Sequence, residues 1–110
     1  MVMTDITGQL LTVPTLRVPV GEELTLDAPL HESVGFTSEC LTSDPTILAV
    51  TGSNERYLHP ERLRPGITGA DEAIQTYHLR ALRPGAALIT LRRLFRGDLE
   101  EERVLRLVVG

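Results

Sequence analysis

The side chains of this sequence that could do chemistry are three histidines, one cysteine, a serine beside a valine and glycine, a pair of glycines and a run of glutamates. His31, His59 and His78 lie far apart, whereas metal sites usually set two ligands about three to five residues apart with a third nearby. That spacing offers no metal. Ser33 precedes Val34 and Gly35, but the Gly-x-Ser-x-Gly turn that exposes a nucleophilic serine is absent. Gly66-Ile67-Thr68-Gly69 does not match a phosphate-cradling loop and opens no helical pattern. Glu100-Glu101-Glu102 reads as a solvated charge run rather than a catalytic acid pair. Cys40 has no second cysteine to pair with and no histidine beside it, so it reads as a small apolar side chain on a strand. Without convergent titratable groups the expectation is a protein that is not an enzyme and uses no metal or cofactor.

The elements that hold these residues are bounded first by length. A chain of 110 residues suits one domain, residues 1–110, around one core, with 1–13 expected to be a flexible N-terminal segment. At this size a core can be stable without disulfide or metal staples. All eleven basic residues are arginines, scattered among acids from Arg17 to Arg106 for a net charge of −4, and Tyr and Phe number four in total. A nucleic-acid surface needs a basic stripe with stacking aromatics, so that partner is excluded. No apolar run approaches the ~20 residues that cross a bilayer, which excludes a membrane helix. Met1 to Gln9 lacks the charged start and apolar centre of a secretory leader, so the chain as written is expected in the cytoplasm, and outside it if a leader was removed.

Along the chain, short alternating segments are punctuated by turn residues. Thr15 to Val18 alternates between Pro14 and Pro19, as an edge strand does, since proline cannot donate to a ladder. Leu24, Leu26 and Ala28 are two apart with Thr25 and Asp27 between, which buries one face and wets the other. Pro29 is expected to end that strand. Gly35 to Leu41 reads as a third strand, Ser43-Asp44-Pro45 as a turn, and Ile47 to Thr51 as a fourth strand that Gly52-Ser53-Asn54 breaks. Arg56 to His59 reads as a short strand and Pro60 to Gly69 as a long loop. Ile74 to Ala81 and Ala86 to Arg93 form a hairpin around Arg83-Pro84-Gly85, and Arg103 to Val109 is the last strand. A helix over Asp71 to Leu82, with Ile74, His78 and Leu82 spaced by four, is the competing reading. The sum is an all-β domain: an immunoglobulin-like β-sandwich of two antiparallel sheets with seven or eight strands.

Several stretches occur in the order of landmarks of a known family. They are Val20-Gly21-Glu22, His31-Glu32-Ser33-Val34-Gly35-Phe36, Gly66-Ile67-Thr68-Gly69-Ala70, Tyr77 to Ala81, and Arg93-Leu94-Phe95. From about Leu16 to Val109 the chain resembles the chagasin family of cysteine-protease inhibitors. The first loop stands where that family carries Asn-Pro-Thr-Thr-Gly-Phe/Tyr, the second where it has Gly-x-Gly-Gly, and the third where it has Arg-Pro-Trp. Glu32 replaces a proline, Leu94 replaces another, and Phe95 replaces the tryptophan.

The resemblance implies a reversible inhibitor of papain-like cysteine proteases, expected to be monomeric, whose three loops enter the active-site cleft from one end of the sandwich. It implies contacts to the protease from His31, Glu32, Ser33, Val34, Gly35 and Phe36, from Gly66, Ile67, Thr68, Gly69 and Ala70, and from Arg93, Leu94 and Phe95. Loops 29–35, 60–72 and 93–101 should then share one end. A rigid wedge blocks such a cleft without offering a peptide bond in attack geometry. The alternative is a non-inhibitory immunoglobulin-like module that binds another protein, or itself, through a sheet edge.

Overall fold

Alternation between apolar and polar residues builds two facing sheets. The computed structural model describes residues 4–5, 15–62 and 71–110. Its strands are β1 (Thr4–Asp5), β2 (Thr15–Val18), β3 (Glu23–Leu30), β4 (Phe36–Thr42), β5 (Leu48–Tyr57), β6 (Ala73–Ala81), β7 (Gly85–Phe95) and β8 (Asp98–Val109), with single 3-10 turns at Glu32–Val34 and Pro60–Arg62. One sheet runs β1-β3-β6-β5 and the other β2-β8-β7-β4. The chain has an all-β sandwich fold. Each sheet is antiparallel except at its N-terminal edge strand, since β1 pairs with β3 and β2 with β8 in parallel.

The core follows the period of two. Leu24, Leu26 and Ala28 of β3 and Tyr77, Leu79 and Ala81 of β6 face Ala87 and Ile89 of β7 and Leu105, Leu107 and Val109 of β8, all buried. Cys40 packs at the margin of this core, half-buried on β4. Burial pushes its thiol up to about 11, because a thiolate there would lose its hydration. Two residues before Cys40, Ser38 reaches across the sandwich to β6. Its hydroxyl lies 2.9 Å from Gln75 Oε1 and 2.8 Å from the Tyr77 hydroxyl, so these half-buried polar atoms satisfy one another between the sheets.

Three expected boundaries differ. Pro29 does not end β3, which continues to Leu30 with Pro29 opposite Ile74. Among the described residues β1 covers β3 only at Leu24 and Thr25, so no strand is described beside Pro29 on that side, and proline is tolerated in a strand where its missing N–H faces no ladder. The fourth strand and the short strand after it are one strand, β5, paired with β6 throughout, and Gly52 marks a register shift rather than a break. A bulge absorbs one extra residue without ending a ladder, and the Thr51 hydroxyl donates to the His78 carbonyl there at 3.2 Å. Glu100-Glu101-Glu102 lies on β8, which starts at Asp98 instead of Arg103. Ala73–Ala81 is strand, not helix, and it makes no hairpin with β7: the Arg83-Pro84-Gly85 turn carries the chain across to the other sheet.

Candidate functional site

The segment from His31 to Gly35 crosses from β3 of one sheet to β4 of the other, and local hydrogen bonds close it. His31 and Phe36 exchange both backbone bonds at 3.0 Å, while the Val34 N–H donates to the His31 carbonyl at 3.2 Å and the Gly35 N–H to the Glu32 carbonyl at 2.9 Å. Gly35 ends the turn at φ +95°, a left-handed conformation that glycine adopts without Cβ strain. Glu32, Ser33 and Val34 are exposed at the tip. His31 is not: three-quarters of its side chain is covered, and it turns toward Asp71, with Nε2 3.4 Å from Oδ1.

Asp71 is the residue sequence reasoning missed. Its carboxylate accepts the Ser33 N–H at 2.9 Å on Oδ2 and the Ser33 hydroxyl on Oδ1. The Ser33 hydroxyl bond, then its backbone N–H and the nearby His31, hold the Asp71 carboxyl below its usual value, since each favours the charged form. Asp71 therefore ties the first loop to the end of the second, 38 positions away in sequence. No local spacing signals such a pair; the only hint is an acid at the foot of a strand, at the end of a long loop. The base of the second loop is closed by the Leu58 N–H donating to the Glu72 carbonyl at 2.8 Å. Gly66, Ile67, Thr68, Gly69 and Ala70 lie outside the described residues.

The third expected loop is a hairpin, and this corrects its boundaries. Arg93, Leu94 and Phe95 belong to β7, where Phe95 pairs with Phe36 on one side and Asp98 on the other. The turn itself is only Arg96 and Gly97, at φ +51° and +85°, the two left-handed positions that match the twist of a tight hairpin. The Arg96 N–H donates to the Gly35 carbonyl at 2.8 Å, so the first loop and the hairpin are bonded directly. The first loop, Asp71 and the hairpin turn meet at one end of the sandwich.

On that end the side chains stack. The Phe36 and Phe95 rings are 4.8 Å apart at 51°. The Arg93 guanidinium lies 4.5 Å from the Phe36 ring centre and that of Arg96 5.1 Å from the Phe95 ring centre. Both arginines thus cover aromatic faces, a favourable placement for a weakly hydrated cation. Neither ring joins the buried core. Beside them opens a groove of about 430 Å³ lined by Phe36, Phe95, Asp98, Leu99 and Glu100. Leu94 is half-buried in the ladder between Thr37 and Leu99.

No protein-family model matches the chain, and no curated protein matches it. Solved structures do. The crystal structure of the cysteine protease inhibitor EhICP2 from Entamoeba histolytica is similar with a TM-score of 0.67 at 14% identity, over 87% of this chain and 86% of that one. The solution structure of amebosin is similar with a TM-score of 0.68 at 14% identity, over the whole of both chains. At this identity the likeness is one of fold.

Proposed function

We propose that the protein is a reversible, competitive inhibitor of papain-like cysteine proteases and has no catalytic activity of its own. Its wedge is the Glu32–Ser33–Val34 tip, the loop before Asp71 and the β7–β8 hairpin with Phe95. The observation that carries the proposal is the cross-tie between these segments: Asp71 to Ser33, and Gly35 to Arg96. A wedge of tied loops reaches the cleft already ordered, so less conformational entropy is lost on binding. The shared fold with a protein described as a cysteine protease inhibitor supports the same partner class.

Titration of two papain-like proteases with the purified protein tests this, with a trypsin-like serine protease as control. Inhibition of the cysteine enzymes alone is expected. Phe95→Ala and Val34→Asp should weaken it by roughly tenfold or more, the scale of a central contact. The remote Thr25→Ala should leave it unchanged. No inhibition at micromolar concentration by a folded protein would overturn the proposal. One observation favours the module reading instead: among the described residues β5 is the open edge of its sheet, with Thr51 to Tyr57 exposed, and such edges pair with other strands.

A further inference from the structure

The hairpin arm β7–β8 carries four acids, Asp98, Glu100, Glu101 and Glu102, and they divide by partner. Glu101 lies 2.6 Å from an Arg103 nitrogen and Glu102 3.0 Å from Arg92 Nε. The Asp98 and Glu100 side chains make no hydrogen bond or ion pair among the described residues, and both line the groove whose apolar surfaces are Phe36, Phe95 and Leu99. Leu99, at 56% the most exposed large apolar side chain among the described residues, follows Asp98 and precedes Glu100 in the chain. The two arginines nearby are already placed on the aromatic faces.

From this arrangement we infer that the groove receives a long-stemmed cationic side chain, arginine or lysine, from the surface of the partner protein. The occupant's methylene stem lies against Leu99 and the ring edges, and its charged head sits between Asp98 and Glu100. A purely apolar occupant would desolvate both carboxylates with nothing to pair them, and an acidic one would be repelled. A volume of about 430 Å³ is in the range that takes one such side chain with its flanking backbone. The inference deepens the inhibitor proposal, since it rests on the hairpin being a contact surface and names the partner chemistry it selects.

The probes are three capped dipeptides, N-acetyl-Leu-Arg-amide, N-acetyl-Leu-Gln-amide and N-acetyl-Leu-Glu-amide, titrated into the 15N-labelled protein. The arginine peptide should shift the Phe36, Phe95 and Leu99 amides and bind about fivefold or more tighter than the glutamine peptide, with the glutamate peptide weakest. Asp98→Asn/Glu100→Gln should erase that order while the remaining amide spectrum shows the fold intact. Equal binding of all three peptides, or shifts elsewhere, would overturn the inference. In parallel, the wild type and the double variant are titrated against a papain-like protease at about 50 and about 300 mM salt, where screening should shrink the wild type's advantage in association rate. Peptide preference without protease inhibition supports the groove and overturns the inhibitor proposal. Inhibition without peptide preference does the reverse.

Discussion

An alanine placed at each of three glycines separates the two ways a Cβ can disturb the loop end. At Gly52 the backbone is ordinary and a Cβ meets nothing within 4 Å, so Gly52→Ala should stay within ~0.5 kcal/mol of wild type. Gly97 has φ +85° and the same open space, so Gly97→Ala adds only left-handed strain, ~1–2 kcal/mol. Gly35 has φ +95°, and its Cβ would lie 2.7 Å from Arg96 Cγ. Strain and clash then add, but Arg96 is a flexible side chain that can yield, so the clash contributes the low end of overpacking, ~1 kcal/mol, for a total of ~2–3 kcal/mol. Near the size of this domain each kcal/mol moves the midpoint by about 4 °C, so thermal unfolding should place Gly35→Ala lowest, about 8–12 °C below wild type and about 4 °C below Gly97→Ala. The cycle with Arg96→Ala isolates the clash: Gly35→Ala should cost ~1 kcal/mol less when Arg96 is already truncated. If Gly35→Ala and Gly97→Ala unfold together, or the coupling is within ~0.3 kcal/mol of zero, the close approach of hairpin to first loop is wrong.

Three further outcomes follow from the same geometry. The Asp71 carboxyl is depressed below 3.8, so its tie to Ser33 stabilises the fold above the unfolded value and is lost as pH falls through the lower folded one; the Ser33 amide should titrate with a midpoint below 3.8, and a midpoint at or above it would refute the tie. The Cys40 thiol at about 11, against an ordinary 9.0, holds about a hundredfold less thiolate near pH 8, so a thiol reagent should label the native protein slowly and the denatured protein at the ordinary rate, and Cys40→Ser should leave inhibition unchanged. Leu105→Ala, at a position with no exposed surface, should cost ~2–5 kcal/mol in denaturant unfolding with m unchanged, and a loss below ~1 kcal/mol would mean that its neighbours collapse into the space.

What the sequence made legible is what period two controls. Leu24, Leu26 and Ala28 announce a buried face because three apolar side chains two apart have only one sheet solution, and they are buried. The end of β5 was not legible, because Gly52-Ser53-Asn54 has the composition of a turn while its conformation is decided by pairing with β6. Pro29 misled for a related reason: whether a strand tolerates proline depends on which neighbour flanks it, a fact of topology rather than of residue type. At the candidate site the turn after β3 was readable, and Gly35 closes it at φ +95° before Phe36 opens β4. The ties between loops were not, since Ser33 and Asp71 meet only through the fold of both sheets.

Those ties also change what the substituted loop residues mean. Judged by sequence, replacing a proline by Leu94 should free backbone in an unbound loop, at ~1 kcal/mol of ordering entropy on binding. In the structure residue 94 is not in a loop. It lies in β7, flanked by β4 at Thr37 and by β8 at Leu99, so its backbone is already ordered and that entropy is lost on folding instead. A proline is poorly accommodated between two neighbouring strands, and here the ladder supplies the stiffness a proline would otherwise give. The first loop shows the same exchange. Glu32 stands where a proline would restrict φ, and the turn is instead held by the reciprocal His31–Phe36 bonds, the Asp71 carboxylate and the Arg96 N–H on Gly35. Stiffness built from hydrogen bonds differs from stiffness built from proline in one respect: it can be removed by protonating Asp71 or by moving Arg96. On the proposed inhibitor reading, rigidity then depends on residues outside the tip, and substitutions at Asp71 and Arg96 should slow association with a protease more than they speed its release.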